Sequence, residues 1–144
     1  MTALTATKST ANSLKAGIVA GLIGGLVFGI MMAMMGMLPM VGMLVGVESA
    51  LVGFIVHMGI SATIGAVYGL VATRLPQNTT ITAVAGILNG IVWWVLGALI
   101  LMPLMLGMTE MIFAIGQAQW LSLIGHIIFG LVTAFAFTPL SQRL

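Results

Sequence analysis

Four apolar stretches, each long enough to cross a bilayer as a helix, constrain this chain more than any motif does. They run roughly from Leu14 to Leu38, Ala50 to Ala72, Ile81 to Met102 and Trp120 to Thr138, and carry no charged side chain apart from Lys15 at the mouth of the first. At 1.5 Å per residue, about 20 apolar residues cover a hydrocarbon core of roughly 30 Å. The expected fold class is therefore all-α, a four-transmembrane-helix bundle. Composition agrees: 61% of the 144 residues are hydrophobic and 4% charged, against about a quarter charged in soluble domains. The mean hydropathy is +1.28.

The same scarcity of polar groups narrows the chemistry. Aspartate is absent and the two glutamates, Glu48 and Glu110, are far apart, which argues against paired-carboxylate catalysis. No cysteine is present, so disulfides, thiolate metal sites and cysteine nucleophiles are excluded. Lys8, Lys15, Arg74 and Arg143 form no cluster of the kind that binds nucleic acid. They read instead as orientation signals. All four fall on one side of the spans and both glutamates on the other, so the bias of Lys and Arg toward the cytoplasm predicts cytoplasmic termini in the inner (plasma) membrane.

Residues 1–13 are small and polar and read as a flexible cytoplasmic tail. Span one carries Gly17, Gly21, Gly25 and Gly29 at intervals of four, a ladder that lets another backbone approach closely. It ends at Leu38-Pro39. Span two contains His57 and closes at Arg74-Leu75-Pro76; the sequon Asn78-Thr79-Thr80 that follows lies in a short loop on the cytoplasmic side and is discounted. Span three holds Asn89, Trp93 and Trp94 and stops at Pro103. The apolar connector after it is expected to lie in the interface, and span four begins near Trp120, contains His126 and ends at Thr138-Pro139.

An internal repeat organises these spans. Ala20 to Ala33 matches Ala85 to Ala98 without a gap, about 65 residues apart, and with small shifts Pro39 matches Pro103 and Gly53 to Tyr68 matches Ser122 to Phe137. The chain thus divides into two tandem parallel-repeat hairpins, residues 14–76 and 77–144, related by a pseudo-two-fold axis along the membrane normal. Spans two and four then run the same way and are diagonal partners, with axes ~12 to 14 Å apart. Their histidines sit about 10 Å inside the outer edge.

His57 shares a helix face with Gly53, Ser61, Gly65 and Tyr68, and His126 with Ser122, Gly130, Thr133 and Phe137. Two inward imidazoles beside small residues suit the axial ligation of a b-type haem or a chlorophyll-type pigment. Metal or proton handling is another reading. The plainer one has each imidazole bonded to a serine or a carbonyl of a neighbouring turn. Met34, Met37, Met40 and Met43 recur every three residues, as do Met102, Met105, Met108 and Met111, and thioethers are soft ligands for Cu(I). Methionine is also a flexible packing residue. Ser61 one turn after His57 lacks an oxyanion hole and is rejected as a nucleophile. Asn89 reads as a helix-to-helix hydrogen bond, Trp93 and Trp94 as lipid or partner contacts, and Glu48 and Glu110 as solvated loop charges. No glutamate stands inside span one, as a small multidrug exporter would require, and Ser61, Asn89, Thr133 and the histidines make a sparse lining for any pore.

The pairing of MLPMVGMLVG with VHMGISATIGAVYG, and of WWVLGALILMPLMLGM with SLIGHIIFGLVTAF, resembles a group of small, four-span bacterial and archaeal membrane proteins of unknown function. The likeness covers nearly the whole chain beyond the tail and implies topology rather than chemistry. The expected function is a non-enzymatic accessory or structural subunit in the lipid bilayer. It is a homo-oligomer or part of a larger membrane complex, the Gly ladder supplying surface for partners, with His57 and His126 as the candidate cofactor ligands and no further metal site.

Overall fold

The computed structural model describes residues 9–144 and is helical throughout, with four helices long and apolar enough to cross a membrane. Helix α1 spans Thr10–Met34, the short α2 Leu38–Gly42, α3 Ala50–Ala72, α4 Thr79–Trp93, the short α5 Met102–Met105, and α6 Gln117–Arg143. Lys8 and most of the expected tail lie outside the described residues. Thr10 to Ser13, assigned to the tail by composition, are already helical. Their turn is docked: the Asn12 amide donates to the Leu144 carbonyl, and Gly69 of α3 closes against the Ser13 carbonyl.

Prolines were expected to end all four spans; α3 does stop at Ala72, ahead of Pro76, and the other three prolines each do something different. The α1 helix stops before Pro39, at Gly36, whose φ of 67° only glycine adopts without strain; the Met37 N–H then bonds back to the Met32 carbonyl at 2.9 Å. Pro39 opens α2, which folds back on the first turns of α3, where Gly53 admits the Leu38 carbonyl. Pro103 does not end span three. A wide π turn over Trp94–Leu101 joins α4 to α5 in one rod from Thr79 to Met105. Proline has no N–H for the Leu99 carbonyl one turn back, and the Phe113 N–H takes that acceptor instead, at 3.2 Å. Pro139 lies inside α6, which runs on to Arg143. Starts are conventional: Ser49 caps α3 and Asn78 caps α4, accepting from the Ile81 N–H at 2.9 Å.

Packing follows the hairpins, α1 against α3 and α4 against α6, and then departs from the expected two-fold. The α1 helix lies along α6, whereas the pair that the repeat would make equivalent, α4 and α3, barely touches. The order across the bundle is α3, α1, α6, α4, with an open side between the outer two. The α1 helix can serve two neighbours because it has two adjacent stripes of small residues. Gly17, Gly21 and Gly25 meet α3 at Gly69, Gly65 and Ser61, Gly29 meets it at Phe54 and His57, and Gly24 meets α6 at Phe129 and Thr133. The ladder read as surface for partners is thus used inside the chain.

Two apolar clusters fill the interior. One gathers Ala16, Ala20, Tyr68, Ala72, Ala134 and Phe137 near the end that carries Lys15, Arg74 and Arg143. The other gathers Phe28, Met32, Leu38, Val41, Ile64 and Phe129 toward the end of Glu48 and Glu110.

Candidate functional site

The α3 helix turns Gly53, His57, Ser61, Gly65 and Tyr68 inward, as their spacing implies. His57 is 7% exposed, and its Nε2–H donates to the Gly25 carbonyl of α1 at 2.9 Å. A carbonyl only accepts, so the proton is assigned to Nε2 and Nδ1 carries the lone pair. The reach is short because Gly25 and Gly29 have no side chains; a Cβ on Gly29 would lie 2.8 Å from Phe54 and 3.2 Å from the His57 ring. Ser61 Oγ stands 3.5 Å from the same nitrogen, at the limit of a hydrogen bond.

On α6, His126 makes the opposite choice. Its Nδ1–H donates to the Ser122 carbonyl of its own helix at 2.8 Å, with Ser122 Oγ at 3.3 Å. The two imidazoles that the sequence match pairs are thus used differently: the serine stands one turn after His57 but one turn before His126. His57 links two helices, while His126 is satisfied locally and leaves Nε2 with no partner among the described residues.

The two rings do come to one level, but they do not face each other across an open axis. Phe28 of α1 stands between them, edge-on to His57 at a centroid distance of 5.4 Å and 82°, and to His126 at 4.9 Å and 66°. Its ring is 4% exposed and seated in a notch made by Gly125, where a Cβ would meet it. Phe28 is thus in contact with both imidazoles. About three turns toward the basic end, Tyr68 and Phe137 meet directly, edge to face at 5.7 Å and 88°. The α3 and α6 helices, set apart by α1, thus meet ring to ring at Tyr68 and Phe137, whereas at the level of the histidines each touches Phe28 of α1.

Other expectations land differently. Met34, Met40, Met43, Met105 and Met108 are exposed, while Met37 and Met102 pack on the core around Phe28. The three-residue spacing of the first set crosses the Gly36 turn, so it does not follow one helix face. No group of three or more His, Cys, Asp or Glu among the described residues is placed to hold a metal ion. Trp93 packs on the core, and Trp94 is buried: its indole N–H donates to the Gln119 carbonyl at 3.0 Å and its ring stacks on Trp120 at 6.1 Å. Both tryptophans are internal contacts rather than lipid-facing ones. Glu48 and Glu110 are exposed. Asn89 does not make the helix-to-helix bond expected of it; its Nδ2 is buried without a partner, as is Thr133 Oγ1, which lies against Gly24.

Phe28 was not anticipated from the sequence, although a signal exists: Ala16, Ala20, Gly24 and Phe28 form a second stripe at intervals of four beside the Gly ladder. No family model matches the chain, and no curated protein or solved structure matches it either.

Proposed function

We propose that this chain is a non-enzymatic structural or accessory subunit of an assembly in the plasma (inner) membrane, its termini cytoplasmic, its histidines serving as internal ties. The observation that carries this reading is the filled interior. Phe28 occupies the space between His57 and His126, and the N–H of each imidazole is already spent on a carbonyl. A buried polar group bonded in this way stabilises and orients helices without any cofactor. A conducting path would need a polar lining through the same level, where an apolar ring stands instead.

Partner contact falls on α4 and α3 rather than on α1. Only 22% of the span that begins with α4 is buried within the chain, against 44% of α1, and the two outer helices leave an open side between them. Purified in mild detergent, the protein should run as an oligomer or with a co-purifying subunit; a sharp monomer across a wide concentration range overturns the assembly. One observation favours a ligand role instead, the unpartnered Nε2 of His126. An absorption spectrum separates the two readings. Protein from haem-replete cells is expected to lack a Soret band, and a band lost in His57→Ala and His126→Ala would make the pair axial ligands.

A further inference from the structure

At the basic end of the bundle, α3 and α4 are joined by a turn and the space beside them forms a slot, lined by Tyr68 and Ala72 of α3, Ile81 and Thr82 of α4, and Phe137 of α6. Tyr68 is 6% exposed, and its phenol has no hydrogen-bond partner among the described residues. The ring is buried, but the hydroxyl is not one of the buried polar atoms without a partner, so it keeps surface open to the slot. Space-filling alone would be served by phenylalanine, which is what the repeat places opposite it, at Phe137.

The slot adjoins a groove of about 250 Å³ between the start of α4 and the end of α6, and Gln77, Thr82 and Thr138 line both. The side chains of Gln77, Thr82 and Gln142 make no hydrogen bonds among the described residues, so their donors and acceptors are available to a ligand. Phe135, 45% exposed, and Pro139 are the apolar members of the lining. The groove is somewhat smaller than the roughly 300–1,000 Å³ of pockets that enclose whole organic ligands, so it fits a head group rather than an entire lipid. No carboxylate lines it. Lys15, Arg74 and Arg143 lie at this end of the helices, and Glu48 and Glu110 at the other.

We infer that this groove binds the phosphate-bearing head group of an anionic glycerophospholipid. Gln77, Thr82 and Gln142 contact its oxygens, and the basic side chains at the bundle end select for its charge. Tyr68 adds to the binding through one water in the slot, whose volume of about 10 Å³ is near the least that admits one. A lipid is favoured over a soluble phosphate compound because the groove lies where the spans leave the apolar layer, with Phe135 on its wall.

The test is lipid retention by the intact purified chain, read by native mass spectrometry after exchange into detergent with equal phosphatidylglycerol and phosphatidylcholine. Phosphatidylglycerol should be retained at least fivefold over phosphatidylcholine. Thr82→Val with Gln142→Leu should remove most of that preference, and Tyr68→Phe, which keeps the ring, should weaken retention about twofold to threefold with helicity unchanged. Equal retention of the two lipids overturns the site, as does a preference indifferent to all three substitutions. Displacement of the lipid by millimolar inorganic phosphate would assign the groove to a free anion and overturn the lipid reading.

Discussion

Phe28 and His57 touch each other in the same buried layer, yet their worth to the fold differs in kind. The phenylalanine fills a notch at Gly125 and keeps two imidazoles apart. Cutting it to alanine empties that space and should cost about 3–5 kcal/mol, the usual penalty for a large core aromatic. His57 gives one interhelical hydrogen bond, and such bonds within membranes average about 0.6 kcal/mol. Its acceptor, the Gly25 carbonyl, lies inside α1 and keeps the N–H of its own helix, so it is not orphaned when the imidazole goes. His57→Phe should therefore lower stability by about 1 kcal/mol or less, and Phe28→Ala by several times that, measured as the unfolding midpoint in mixed detergent micelles. Equal losses would mean that the hydrogen bond, and not the ring between the histidines, holds this layer.

Glycines on one helix can be essential at one position and idle at another, and the spacing in sequence does not say which. Gly21 lies against α3, where a Cβ would fall 2.7 Å from the Gly65 Cα, backbone against backbone. Gly59 on α3 faces outward with nothing within 4 Å. Gly21→Ala must push α1 and α3 apart and should destabilise by about 1–3 kcal/mol. Gly59→Ala should be neutral or stabilise by up to about 1 kcal/mol through helix propensity alone. The same denaturation series ranks them, and a harmless Gly21→Ala would refute the close packing of α1 on α3. The span from α4 to α5 offers a second case. Pro103→Ala restores an N–H one turn after Leu99, which then competes with the Phe113 N–H for the Leu99 carbonyl. Phe113 holds φ 58°, a left-handed conformation unfavourable for a bulky residue by about 1–2 kcal/mol, and this bond is one of its restraints. Limited proteolysis should cut Pro103→Ala faster between residues 106 and 116, with circular dichroism unchanged.

The whole molecule was legible in the sequence up to the point where neighbours in space stop being neighbours in the chain. The four spans follow from apolar length, and the pairing of α1 with α3 and α4 with α6 follows from short connections. The matched height of His57 and His126 was expected from their like positions in spans two and four, and both rings do reach Phe28. What no local pattern fixed is the choice between α1 and α4 as the helix that lies between the two hairpins, and that choice decides whether the histidines share a space or flank Phe28. The repeat left it open because both hairpins present small residues. The second small stripe of α1, Ala16 to Gly24, is the feature that broke the tie. The bundle that results keeps Lys15, Arg74 and Arg143 at one end and Glu48 and Glu110 at the other, and basic residues near span ends orient a chain far more strongly than acidic ones. The turn holding Gln77 should then face the cytoplasm and the segment holding Thr109 the opposite side. Because the chain contains no cysteine, Gln77→Cys and Thr109→Cys each report a single position. In intact cells a membrane-impermeant maleimide should label Thr109→Cys and reach Gln77→Cys only after permeabilisation. The reverse pattern would invert the bundle and place the basic end, with the groove between α4 and α6, outside.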